Sequence, residues 1–195
     1  MSDPFAGAGD DDVARLIDQH PLAWIVARGA RGLATPMPLL LESSAEGRPG
    51  ALIGHLPKAH PLVAALTAQP GGLFLFQGPS GYISPEWLTN KDWAPTWNFA
   101  VAVIEADVVF DESLTERALV DLVAHMERDR PEPWTVEAMG DRFAILRSWV
   151  IGFRATITAT RARFKLGQDE NDTVFAEILA GQGDGELARW MVEAR

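Results

Sequence analysis

The chain has no cysteine. Disulfides, thiolate metal centres and cysteine nucleophiles are excluded together, and a reducing, cytoplasmic setting suits the composition. Positive charge is also scarce: 17 Lys and Arg stand against 27 Asp and Glu, a formal net charge of −10. Such a chain repels nucleic-acid phosphate and anionic lipid at long range. There is no helix-turn-helix with a basic second helix and no helix face rich in Lys and Arg, so direct DNA binding by this chain alone is disfavoured. No apolar run approaches the roughly 20 residues that span a bilayer. The N-terminus lacks the basic and apolar regions of a secretory signal. Four histidines, at 20, 55, 60 and 125, show no metal spacing, and no carboxylate lies between His55 and His60. A zinc or iron site is therefore not expected. Gly-x-Ser-x-Gly is absent, and neither Ser80 nor Ser84 has a convincing histidine partner.

What is present describes one well-filled domain over residues 1–195, with 47% apolar and 23% charged residues and no internal repeat. Residues 1–10 are small and polar enough to be flexible. Residues 170–195 read as a helical tail.

Asp10-Asp-Asp12 opens a short helix ending near His20-Pro21. Leu22 to Arg28 reads as a compact apolar strand, Gly29 to Gly32 as a turn, and Leu33 to Leu41 as the returning strand. Pro36 and Pro38 lack donors on one side of that strand, which points to a broken or an edge ladder there. Ala51 to Leu56 and Leu73 to Gln77 are further strands, separated by a helix from His60-Pro61 to Ala68. Thr96 to Phe110 is apolar on both faces and is expected to be central. Ser113-Leu-Thr-Glu116 reads as a capping box opening a helix with a Leu119, Leu122, Val123, Met126 stripe. Asp141 opens another short helix. Val150 to Leu166 is a second long strand, with Ile151, Phe153, Ala155 and Ile157 on one side. Asp172 is expected to cap a tail helix. Strand and helix do not alternate regularly, so a doubly wound parallel sheet is disfavoured. The pattern fits a mainly β, α+β protein: an antiparallel barrel with peripheral helices.

Three stretches could carry chemistry. Phe76-Gln-Gly-Pro-Ser-Gly-Tyr-Ile-Ser-Pro-Glu-Trp87, with Ala94-Pro-Thr-Trp-Asn-Phe99 after it, concentrates aromatics, amides and turn residues. It reads as a loop walling a pocket for a flat ligand, or as an interface rich in Trp. Gly54-His-Leu-Pro-Lys-Ala-His-Pro61 runs from a strand through a turn into a helix. Turn amides, a helix N-terminus and Lys58 suit a phosphate, but one lysine is a weak phosphate signal, and these residues alone favour a plain connector with a solvated lysine. Arg161, Arg163 and Lys165 share a strand face, either to clamp an anion or to keep an edge soluble.

These segments resemble the PaiB-like FMN-binding proteins, a family of negative transcriptional regulators. The resemblance runs through His20-Pro-Leu-Ala23, Pro38-Leu-Leu-Leu41, Gly54 to Pro61, Phe76-Gln-Gly-Pro79, Tyr82-Ile-Ser-Pro85, Trp87, Pro95-Thr-Trp-Asn98 and Ile151-Gly-Phe153 to Lys165-Leu166. It implies an FMN-binding split β-barrel, a homodimer with flavin at the subunit boundary, and redox or redox-linked regulatory activity. It also implies site roles. Lys58 and its turn, with His55 close by, would hold the FMN phosphate. Thr35 to Met37 would lie along the isoalloxazine. Gln77, Trp97, Asn98 and Lys165 would line the site. An FMN-dependent oxidoreductase is a further role the resemblance admits. The chain departs from the family at Thr35-Pro36, where an Asn-His pair is usual. It departs also at Leu88 and Phe99, where tyrosines are usual, and at Gly167 and Asp169 in the Lys165-Leu-Gly-Gln-Asp169 segment. These departures motivate the alternative of a regulatory or interaction protein that kept the barrel and lost the cofactor.

Overall fold

The computed structural model describes residues 5, 8–29 and 32–195. Seven antiparallel strands form one sheet: β1 (Leu22–Ala27), β2 (Ala34–Pro38), β3 (Leu40–Ser43), β4 (Pro49–Pro57), β5 (Gly71–Ile83), β6 (Thr96–Phe110) and β7 (Val150–Lys165). Their order is β2-β1-β5-β6-β7-β4-β3. The helices are α1 (Asp10–Gln19), α2 (Pro61–Ala68), α3 (Thr115–Glu127), α4 (Asp141–Ser148), α5 (Asp172–Gln182) and α6 (Glu186–Glu193). None is long and apolar enough to cross a membrane.

The expected strand from Leu33 to Leu41 is two strands that lie on opposite edges of the sheet. β2 pairs with β1, β3 pairs with β4, and only Leu39 joins them. Leu39 is fully buried, and its N–H donates to the Pro21 carbonyl at 2.9 Å. One residue bridges the two edges only if the sheet is rolled, so β2 comes to lie against β4. The described strands form no ladder across that seam, and the barrel is split. Pro36 and Pro38 sit on the edge strand, where a missing donor breaks no ladder.

Inside the barrel, alternate residues make one core: Ala23 and Ile25 on β1, Leu52 and Leu56 on β4, Phe74 and Phe76 on β5, Ala100, Ala102 and Ile104 on β6, and Phe153 and Ala155 on β7. β6 is the fourth of the seven strands, as its apolar faces lead one to expect. α1 buries Val13, Leu16 and Ile17 in this core, and α6 buries Leu187, Trp190 and Met191. Fully burying each large apolar side chain is worth about 1.5–3 kcal/mol.

Two irregularities decide what faces outward. In β7 the pairing shifts: Glu105 opposes Ala159 and Ala106 opposes Ile157, leaving Thr158 as an extra residue. A regular strand would turn Arg161, Arg163 and Lys165 to the same side as Phe153 and Ala155, into the core. The bulge turns them outside. In β5 the register shifts between Gln77 and Ser80. The supposed loop from Phe76 is therefore strand as far as Ile83, after which Ser84 caps a short 3-10 turn over Pro85–Trp87.

Three local expectations change. The Ser113 capping box does not form: Asp111 caps the turn Glu112–Leu114, accepting the Ser113 N–H at 2.8 Å, and α3 starts at Thr115. The α3 stripe is only half-buried, and Met126 is exposed. The tail helix α5 is capped by Asn171, whose side chain accepts the Val174 N–H at 3.0 Å. Of the first ten residues, 1–4 and 6–7 lie outside the described residues, as do residues 30 and 31 of the first turn. Phe5 is buried, and its carbonyl accepts the Phe164 N–H on the side of β7 that β4 leaves unpaired.

Candidate functional site

Following the register outward from β1 gives one continuous outer surface. Leu22 and Trp24 oppose Pro38 and Pro36 on β2; Trp24 opposes Leu75 on β5; Leu75 and Gln77 oppose Val103 and Val101 on β6. Val103, Val101 and Phe99 in turn oppose Arg161, Arg163 and Lys165 on β7. Leu22 is 60% exposed, Trp24 55% and Trp97 55%. Leu22 and Trp24 stand side by side on this face, while Trp97 lies six residues along β6 from Val103, the residue in the row of Trp24, and large apolar side chains this exposed on one sheet mark a binding surface. Beside them lies a groove of about 650 Å³, walled by Trp24, Pro36, Pro38, Leu75, Gln77 and, from α3, Met126.

At the β6 end of this surface the rings of Tyr82 and Trp97 meet edge to face, 6.1 Å between centroids. Gln77 Nε2 donates to Ser80 Oγ at 3.3 Å across the β5 bulge. The Lys165 ammonium donates to Thr96 Oγ1, and the Phe5 ring stands 5.8 Å from it. Arg163 lies 5.3 Å from the same ring. Arg161 pairs with Glu105, which also holds Arg28 at 2.9 Å. The hydrogen bond from Arg161, with Arg28 close by, keeps the Glu105 carboxyl below its usual range. An acidic chain thus carries a local group of cations beside an aromatic, apolar sheet face.

Gln77, Trp97 and Lys165 all stand on this surface. The other expected residues do not join them. Thr35 and Met37 oppose Ile25 and Ala23, so their side chains take the inner side of β2, and Met37 packs on the core. Pro36 and Pro38 face the groove in their place. Asn98 is 2% exposed, and its Nδ2 donates to Met191 Sδ at 3.6 Å.

His55 and Lys58 form a separate corner at the end of β4. His55 opposes Gly152 on the outer side of the barrel, where α3 packs. Its Nδ1 is shielded and has no hydrogen-bond partner, and burial pushes the imidazole pKa down. Lys58 Nζ lies 2.8 Å from Glu112 Oε1, and its N–H donates to the Trp149 carbonyl at 2.9 Å. The N-terminus of α2 is capped by its own sequence: His60 Nδ1 accepts the Leu62 N–H at 3.2 Å. The row of Gln77 crosses β7 at Arg163, and the row of His55 crosses it at Gly152. Those positions are separated by roughly 35 Å of strand contour at about 3.3 Å per residue.

Sequence reasoning missed Trp24, Leu22 and Leu75. The available signal was a strand, Leu22–Ala27, that is apolar on both faces yet lies beside a proline-bearing edge. A strand apolar on both faces at that place needs cover on both.

Residues 1–159 match the family described as "Putative FMN-binding domain". The chain belongs to that family. A curated relative, the protease synthase and sporulation protein PAI 2 of Bacillus subtilis (strain 168), is 26% identical over 131 residues, which is 66% of this chain. The match spans 62% of that relative's length. Among solved structures, the FAD and haem binding protein from Mycobacterium smegmatis superposes with a TM-score of 0.58 at 14% identity, covering 90% of this chain and 78% of that one. The flavocytochrome Anf3 from Azotobacter vinelandii gives 0.55 at 16% identity, covering 80% and 67%. At these identities the likeness is one of fold: the split barrel of flavin-binding proteins.

Proposed function

Taking membership of this FMN-binding family as the premise, we propose that the chain binds FMN as a homodimer. Each flavin lies between the outer sheet face of one protomer and the His55–Lys58 corner of its partner. The observation that supports this most is the separation of the two groups of expected residues within one protomer, about 35 Å of β7 contour apart, beside an uncovered apolar face. A two-fold pairing places one group of each copy against the other group of its partner. The residues fit a flavin. Trp24 and Trp97 offer flat walls, Gln77 an amide for the ring edge, and Lys58 a charge for the phosphate, with Lys165 close to the ring system. Met37, Thr35 and Asn98 support the wall from behind. His55, kept neutral by burial, offers a shielded imidazole nitrogen without a partner of its own. When bound, FMN supplies one- and two-electron chemistry, and the protein supplies binding, orientation and exclusion of water.

Regulation of the kind the family resemblance implies would act through a protein partner, because the net charge of −10 opposes contact with DNA. A cofactor-free regulator is the second reading. It is favoured by the internal satisfaction of the phosphate corner, where Lys58 pairs with Glu112 and His60 caps α2. One titration separates the two. Adding FMN to the purified protein is expected to quench tryptophan emission and to give a protein-bound flavin spectrum. Lys58→Ala is expected to weaken binding about ten- to a hundredfold, as for a lost charge-assisted phosphate contact. No quenching and no bound flavin would leave only the second reading.

A further inference from the structure

A second cavity lies away from the sheet face, between α3, the 3-10 turn Val136–Met139, α4 and the ends of β4 and β7. Its volume is about 330 Å³. Leu119 and Val123 enter it from α3, Met139 from the turn, Phe143 and Leu146 from α4, and Trp149 from the residue after α4. None of these six side chains belongs to the barrel core. α4 in particular has no buried residue, although Phe143, Ile145 and Leu146 are large and apolar. A helix that covers nothing with such residues forgoes about 1.5–3 kcal/mol for each one it leaves wet. The hollow beside it is where that burial is still to be had.

The walls fix the chemistry of a guest. They present almost no polar surface. Arg147 is the one charged residue among them, and its Nε is shielded and faces Glu116 Oε2 at 3.4 Å, so its charge is answered away from the hollow. Water inside would find almost nothing to bond. A carboxylate, phosphate or ammonium would give up its hydration and gain no partner, a cost of several kcal/mol. A neutral hydrocarbon-like molecule loses nothing. Size points the same way: an apolar cavity of roughly 150 Å³ stays dry and takes up benzene. The space here is about twice that, enough for a guest of two fused rings, with the Phe143 and Trp149 rings on its walls.

We propose that this cavity binds a small uncharged aromatic molecule, held between α3 and α4 by apolar contact alone. The site is independent of flavin, although it borders the Lys58 corner: Pro57 lines it, and the Trp149 carbonyl accepts the N–H of Lys58. Equilibrium dialysis of labelled naphthalene against the full chain, with and without FMN, measures binding. One site per chain is expected in both states, so a failed FMN titration leaves this result standing. Unlabelled naphthalene is expected to displace the label, whereas naphthoate and naphthylmethylammonium, the same rings with a charge of either sign, are expected to be about a hundredfold weaker or more. Val123→Trp, which occupies the hollow, is expected to abolish binding, and Leu146→Asn, which puts an unpaired amide on the wall, to weaken it about tenfold. Wild-type protein that takes up no naphthalene would overturn the proposal, as would a charged analogue that competes as well as naphthalene itself. Binding lost with Trp24→Glu but kept with Val123→Trp would put the guest on the sheet face and overturn it too. The charged analogues are tested on the wild-type chain, so they decide the matter even where Val123→Trp fails to fold.

Discussion

The outside of this barrel has two halves, and they are finished differently. Over β3, β4 and the first part of β7 the chain covers itself. α3 lies on that surface, Ala51 and Ile53 beneath it are buried, and the Thr115 hydroxyl accepts the Gly152 N–H at 2.9 Å. Glu42 ties the layer together, accepting from Arg154 at 2.8 Å and Arg117 at 3.0 Å, and the Arg154 hydrogen bond leads in holding its carboxyl below the usual range. Over β1, β5 and the middle of β6 no helix among the described residues covers the sheet; α3 only edges the groove with Leu122 and Met126, and Leu22, Trp24 and Leu75 face outward. The strands are the same and the inner faces equally apolar. The difference is that the first half satisfies its surface within the chain, and the second leaves an apolar surface for another molecule.

The largest effect is expected where the self-covered half has no spare room. A Cβ at Gly152 would stand 2.7 Å from the backbone of Leu114 and Thr115. Gly152→Val therefore forces α3 off the sheet and is expected to cost about 3 kcal/mol or more, measured by urea unfolding. An unchanged midpoint would mean that α3 does not seal this half. On the open half, Trp24→Glu is expected to weaken self-association by about 2 kcal/mol, roughly thirtyfold in sedimentation, with an unchanged far-UV spectrum. Equal association of variant and wild type would remove the distinction between the halves. Thr115→Val leaves the buried Gly152 N–H without an acceptor and is expected to cost about 1–2 kcal/mol, without effect on association.

The smallest effect concerns pH. Burial lowers the His55 pKa from its usual 6.5, so the unfolded chain takes up the proton first as pH falls. Its contribution to stability is full above about pH 6.5 and declines as pH drops from there towards the folded value. His55→Gln is expected to flatten the melting temperature between pH 7 and 5. A curve that keeps the wild-type slope would show that another group is responsible.

Much of the interior was legible from the sequence. Apolar runs located β1, β4 and β6, an alternating rhythm located β7, the paired prolines pointed to a broken or edge ladder, and His60-Pro61 began α2. Two features were hidden because no local signal carries them. Leu39 looks like any residue inside a strand, yet it is where the chain passes between sheet edges, a fact set by pairing partners far apart in sequence. The bulge at Thr158 falls in an unremarkable Ile-Thr-Ala-Thr run, and it alone decides that Arg161, Arg163 and Lys165 point outward. The candidate site followed the same rule. Gln77 and Trp97 took the outer side by strand alternation, and Lys165 joined that side only through the bulge at Thr158. Asn98, Thr35 and Met37 turned inward because side was set by registers the motif does not encode.

Mixing two damaged chains tests directly whether each flavin is shared between two copies. Lys58→Ala and Gln77→Ala each remove a residue from a different group. If one flavin spans both copies, each variant alone binds FMN weakly, while mixing and reassociation restores about one quarter of the wild-type sites, since half the dimers are mixed and each mixed dimer keeps one intact site. Flavin bound by the mixture no more than by either variant alone would contradict the shared site.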